Sequence, residues 1–325
     1  MINLNVTYAG LSLSNPIIVA SSGLTNSVEK IVALEKAGAG AVVLKSLFEE
    51  QITQQAAQML QTEVFPEAAD YLQTYVKANH VEAYLDLIKG AKKEVAIPII
   101  ASINCYNNEG WGEFAAQIEN AGADAIEINI HRYETGLNYN QQEYVNLHLD
   151  ILLSLKKVVK IPIIFKLGQN FSNIIAVIEL LRVNGAAAVV LFNRFYQPDI
   201  NIDTLQITSG NIFSTTQDLA QTLRYTAIAS ARIPQIDIAA STGIHTPEGA
   251  IKMLLAGAEV VEVCSAIYEH GNTIISQINT YIEEWMLTKG YKTIENFRGM
   301  LNANTLGDQS KYERAQFMKY YSSRE

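Results

Sequence analysis

Several apolar runs in this sequence stop at residues that can do chemistry. Lys45 and Lys166 each close such a run, and so do Asn104, Asn129 and Asn193. A lysine at the rim of an apolar core must be solvated or paired with an anion. No acidic residue closes a run to match either lysine, so both are expected to face a bound anionic or electron-rich ligand. One asparagine in such a place is usually a turn residue, but the set of three weakens that reading. The densest stop is EINIHRYETG, residues 127–136, where an alternating run breaks into Asn129, His131, Arg132, Tyr133 and Glu134. His131 suits a base or a solvated loop about equally. Arg132 cannot be a base, because a guanidinium keeps its proton, yet its planar fork suits a carboxylate.

Other stops are built from small residues: Ser21-Ser22-Gly23, Lys45-Ser46, Ser241-Thr242-Gly243 and Cys264-Ser265. In STGIHTPEGA the small residues lead into a helix start, with Thr246 as cap and Pro247 at the first helical position. CSAIYEHG gives a second such turn into a short helix. Either turn alone is an ordinary loop. Together they favour a phosphate site, since unpaired N–H groups and the helix dipole both attract an anion.

A repeat positions these stops. One phrase, a helical stretch, a glycine–alanine pair and an apolar run, recurs as LEKAGAGAVVLKS, IENAGADAIEINI, LRVNGAAAVVLFN and LLAGAEVVEVCS. The glycine fits a helix C-cap, where a left-handed residue costs nothing. A second phrase places a proline before an apolar run: NPIIVASSG, IPIIASINC, IPIIFKLGQ and IPQIDIAAST. Proline is tolerated at a strand's first position. The phrases alternate at Pro16, Gly38, Pro98, Gly122, Pro162, Gly185, Pro234 and Gly257. That gives eight strands with helices between them, the pattern of a (β/α)₈ TIM barrel of α/β class, and disfavours an open doubly wound sheet. Chemistry in a barrel sits at the strand C-termini, where all the stops would converge. Residues 47–95 and 193–215 form long βα insertions at that face, the first holding FEEQITQQAAQML and VEAYLDLIKGAKKE as helices. The chain is read as one domain, 1–325. Its tail from about residue 272 is read as an amphipathic helix and a shorter one.

Composition removes other classes. The 325 residues are 49% hydrophobic with a net charge of −9, which disfavours nucleic acid as a partner. No apolar run approaches a membrane span and the N-terminus does not read as a signal peptide, so a soluble cytoplasmic protein without a membrane partner is expected. The two cysteines, Cys105 and Cys264, form no CxxC, and the five histidines show no ligand spacing, so no metal is expected. AGAGAV precedes a strand and is no dinucleotide fingerprint.

From NPIIVASSG to CSAIYEHG the chain resembles the dihydroorotate dehydrogenases, FMN-binding barrels of pyrimidine synthesis, and looks like their soluble class. The resemblance implies FMN as cofactor. It places Ser21, Ser22 and Gly23 against the flavin and Lys45 between flavin and substrate carboxylate. It implies substrate binding by Asn79, flavin-ring contacts for Asn104 and Lys166, and flavin or substrate contacts for Asn129 and Asn193. Ser241, Thr242, Gly243, Cys264 and Ser265 match its phosphate turns. A lysine near N1 and O2 would stabilise a reduced flavin, and the asparagines suit a planar ureide or imide.

After the matched asparagine the family carries a small base, cysteine or serine, and then a second asparagine. An ungapped alignment puts Arg132 and Glu134 there, and Arg194 follows Asn193. The flavin half is kept and the substrate half is rewritten. The first reading is therefore dihydroorotate oxidation with His131, Tyr133 or Cys105 taking the proton. The second is oxidation of another small carboxylate held by Arg132 or Arg194. The third is a flavin-binding partner subunit with no redox substrate of its own. A homodimer is kept open as the assembly, and any iron–sulfur centre would have to come from a partner.

Overall fold

The computed structural model describes residues 2–48, 69–104, 111–130, 133, 135–137, 139–305 and 310–313. The eight expected strands are present and close into a parallel barrel. In chain order the ring strands are β3 (Ile17–Val19), β4 (Ala41–Val43), β6 (Ile99–Asn104), β7 (Ala125–Asn129), β8 (Ile163–Leu167), β9 (Ala188–Leu191), β12 (Asp237–Ser241) and β13 (Val260–Val263). Each pairs with the next, β13 returns to β3, and β4 meets β6, which makes the (β/α)₈ barrel.

The repeat residues do what their chemistry requires. Pro16, Pro98 and Pro162 each stand one residue before a ring strand, where no ladder donor is lost. Gly38, Gly122, Gly185 and Gly257 all take positive φ at the turn out of a helix. The ring strands are almost wholly buried because helices cover their outer faces and inward side chains, charged ones among them, pack the lumen. Thr246 caps the helix Pro247–Ala256 by accepting from the Gly249 N–H, with Pro247 at its start as expected.

Three features depart from the sequence reading. A hairpin of β1 (Val6–Tyr8) and β2 (Leu11–Leu13) precedes the barrel and buries Val6, Tyr8 and Leu13 in the core. Its turn is pinned at the strand N-termini by the Ala9 N–H, which donates to Asp237 Oδ2 at 2.7 Å. The long connection after β9 carries an exposed antiparallel hairpin, β10 (Pro198–Asn201) with β11 (Gln206–Ser209). In the tail, Thr273–Lys289 is the expected helix, but the shorter element is only a 3₁₀ turn, Ile294–Asn296. VEAYLDLIKGAKKE lies in the helix Ala69–Glu94, whereas FEEQITQQAAQML lies outside the described residues apart from its first phenylalanine, Phe48, at the end of β5 (Leu47–Phe48).

Candidate active site

Parallel register sets the site. Asn104 stands beside Asn129 across β6 and β7, and Asn129 stands beside Lys166 across β7 and β8. On the other side of the ring Ser241 is level with Glu262. A chain of polar contacts joins these strand ends. Asn193 Nδ2 donates to Asn129 Oδ1 at 3.3 Å, and Asn129 Nδ2 donates to Ser102 Oγ at 3.0 Å. Ser102 and Ser46 hydroxyls lie 2.7 Å apart, and those of Ser46 and Ser21 3.0 Å apart. Buried amides and hydroxyls so connected hold one orientation.

Lys166 is not the uncompensated cation that the run-end reading implies. Its Nζ lies 2.6 Å from Glu262 Oε2 and 3.6 Å from Glu127 Oε1, and all three side chains are buried. The acids escaped that reading because neither ends its strand. Glu127 lies two residues before Asn129 on the same inward face, and Glu262 sits inside VVEV. Burial opposes the charge on Lys166, but Glu127 and Glu262 outweigh it and raise its pKa. Glu127 is pushed up to about 8 by burial and by the neighbouring Glu262, against the pull of Lys166. Glu127 Oε2 has no hydrogen-bond partner among the described residues.

A cavity of about 660 Å³ opens at the C-terminal ends of the strands. Ser21, Ser22, Lys166, Asn193, Ser241, Thr242, Gly243, Glu262, Cys264 and Ser265 line it. Thr222 Oγ1 donates to the carbonyls of Ser241 and Thr242 at 3.0 and 3.3 Å, and Thr242 Oγ1 donates to the Phe192 carbonyl at 3.0 Å. These bonds hold the turn with Thr242 and Gly243 both at positive φ. At Gly243 a Cβ would run into the backbone nitrogen of Leu219, so the turn has room only for glycine. Burial pushes the Cys264 thiol up, against Ser22 and Lys166, which disfavours a thiolate.

An adjoining cavity of about 350 Å³ is lined by Tyr133, Asn193, Arg194, Asp218 and Thr242 among others. Exposed Tyr133 packs edge-on to Phe195 with ring centroids 4.8 Å apart. Arg194 lines both cavities, and its guanidinium bonds Asp218 Oδ2 at 3.3 Å and the carbonyls of Asn211 and Phe213 at 2.8 and 3.0 Å. It thus ties down the long connection after β9. Lys45 is exposed and pairs with no described acid, and Asn79 is exposed on the helix Ala69–Glu94. His131, Arg132, Glu134 and Cys105 lie outside the described residues.

Sequence reasoning also missed a cluster at the cavity rim. Ser214 Oγ lies 2.9 Å from His245 Nε2, and His245 Nδ1 lies 3.0 Å from Glu269 Oε2. The Ser214 N–H donates to Ser265 Oγ at 3.1 Å. This cluster holds the end of the β9 connection against the turns after β12 and β13. His245, inside STGIHTPEGA, was its one visible signal.

A closed parallel barrel with cavities and converging polar groups at its C-terminal mouth is a barrel of enzyme type. The dihydroorotate dehydrogenase family model matches residues 3–286, so the chain belongs to that family of oxidoreductases. A relative from Thermoplasma volcanium, named dihydroorotate dehydrogenase B (NAD(+)), catalytic subunit, is 29% identical over 92% of this chain and 99% of its own. A protein of the same name from Methanosarcina acetivorans is 28% identical over 90% of this chain and 94% of its own. A putative dihydroorotate dehydrogenase A (fumarate) from Aeropyrum pernix is 25% identical over 91% and 96%. Among the described residues, no helix is long and apolar enough to cross a membrane.

Proposed function

We propose that this chain is an FMN-dependent oxidoreductase that removes hydrogen from a CH–CH bond of a small cyclic carboxylate, with dihydroorotate to orotate as the first candidate reaction. The observation that carries the reading is the larger cavity. Lys166 and Asn193 line it together with the small-residue turns at Ser241–Gly243 and Cys264–Ser265, and with the apolar Ala20 and Ile244. That lining suits a flavin ring beside Lys166 and Asn193 and a phosphate at the small-residue turns, and a cavity of about 660 Å³ falls within the range of about 300–1,000 Å³ usual for cofactor sites. FMN, when bound, supplies the two-electron acceptor.

The chain's own residues divide the remaining work. Asn129 and Asn193, fixed by their mutual hydrogen bond, present amide groups to a planar substrate edge. Lys45 and Arg132 hold its carboxylate, with Asn79 and Arg194 as further substrate contacts. His131 or Tyr133 accepts the proton, and the smaller cavity beside Tyr133 takes the substrate. Relatives named as catalytic subunits of NAD(+) enzymes support a second subunit as the route to the acceptor.

The test is anaerobic. FMN released from the purified protein by denaturation supports the cofactor, and dihydroorotate then bleaches the yellow colour. Bleaching only by other small carboxylates would move the assignment to that second reading. Recovery of FAD or a nicotinamide cofactor instead of FMN would overturn both.

A further inference from the structure

One group in the cavity wall has no part in the readings above. Glu262 reaches the cavity from β13 and meets Lys166 at 2.6 Å, while Glu127 reaches the same ammonium at 3.6 Å from β7. Glu127 and Glu262 are 1% and 3% exposed, so water does little to screen them. Two carboxylates this close to each other in a dry core do not both ionise easily, because like charges in low dielectric drive one of them to keep its proton. One lysine, one carboxylate and one carboxylic acid sum to zero.

We propose that Glu127 and Glu262 hold one proton between them and supply one negative charge that cancels Lys166, so that the cofactor rests on a neutral triad rather than on a cation. This rests on the FMN reading above. A lone lysine beside the ring would favour the reduced, more negative cofactor, whereas a neutral triad removes that bias and lowers the reduction potential.

The pair is redundant, and this shapes the experiment. Removing one carboxylate lets the other ionise and keep the balance. Glu127→Gln copies the neutral acid in shape and hydrogen bonding, so its FMN should show the wild-type potential. Glu127→Gln combined with Glu262→Gln leaves Lys166 uncompensated. The reduction potential of its bound FMN should rise by at least a tenfold change in the two-electron equilibrium, about 30 mV.

FMN content is measured first by denaturing release, so failure of the cofactor reading is seen separately. With FMN bound, an unchanged potential in the double variant overturns the proposal. So does a rise in Glu127→Gln alone that equals the double variant's. An infrared difference spectrum, wild type against Glu127→Gln, gives an independent readout if the double variant does not fold. The proposal requires one protonated carboxyl band lost at neutral pH, and two ionised carboxylates would overturn it.

Discussion

Lys166 Nζ and Glu262 Oε2 meet at 2.6 Å across the barrel lumen, from strands separated in the ring by β9 and β12. The contact is therefore a tie through the barrel's interior, distinct from the ladder that joins neighbouring strands. Its energetic sign depends on what is removed. Well-packed apolar groups could replace the whole set at little cost, but removing the lysine alone strands a buried carboxylate.

Lys166→Met should accordingly destabilise the protein by about 3–5 kcal/mol in denaturant unfolding without added FMN. A loss below about 1 kcal/mol is what a surface ion pair gives. That result would mean that water reaches the triad.

Gly243→Ala should damage both the fold and the cavity. The residue sits at φ +87°, and its new methyl would meet the first turn of the helix Leu219–Arg232. Such substitutions cost more than about 1 kcal/mol. Equilibrium unfolding would measure that cost, and fluorescence titration with FMN should show weaker binding. Unchanged binding would separate the turn from the cofactor site.

His148 should make the protein acid-sensitive. Burial pushes its pKa down to about 4, against the bond from its Nδ1 to the Tyr144 carbonyl at 2.8 Å. The unfolded chain protonates near pH 6.5 while the native imidazole stays neutral. Stability from this group is therefore complete above pH ~6.5 and falls as pH drops toward 4, by about 3 kcal/mol in all. His148→Phe keeps the ring packing against Phe171 and Tyr144 and removes the titration. Its stability should change less between pH 7 and pH 5 than the wild type's, and equal slopes would assign the acid sensitivity elsewhere.

Arg132→Ala should raise KM for the carboxylate substrate far more than it lowers kcat. Loss of a charge-assisted hydrogen bond of about 1.5–3 kcal/mol corresponds to roughly ten- to a hundredfold in KM. Arg132→Lys should recover only part of it, because the fork geometry is lost. Steady-state kinetics with an unaltered KM would remove Arg132 from the substrate site.

The barrel was legible because its repeat is physical. Proline before an apolar run and glycine after a helix each satisfy a backbone requirement that recurs around the ring. The strand-end asparagines were legible for the same reason, since register places Asn104, Asn129 and Lys166 side by side. Glu127 and Glu262 were hidden within their strands, where a single acid in an apolar run looks like noise. Only closure of the ring brings them to one lysine, 39 residues away from Glu127 and 96 from Glu262. The Ser214–His245–Glu269 cluster is illegible in the same way, because two separate loops and the short helix Ser265–His270 contribute to it. The N-terminal hairpin escaped notice because each of its strands is only three residues long.

The ring has a seam. β4 pairs with β6 at Val42–Ile99 and Val43–Ile100, and the ladder resumes only at Leu47–Ile103 in β5 (Leu47–Phe48). Between these points the backbone of Ser102 faces a side chain instead of a strand. The Tyr84 hydroxyl accepts from the Ser102 N–H at 2.7 Å and donates to its carbonyl at 3.0 Å. A phenol on the helix Ala69–Glu94 thus acts as one residue of the sheet. That helix cannot slide by a turn without unzipping the barrel at the same residue whose hydroxyl steadies Asn129. Deuterium should therefore enter at Ser102 as slowly as along the unbroken strands, and in Tyr84→Phe it should enter there first.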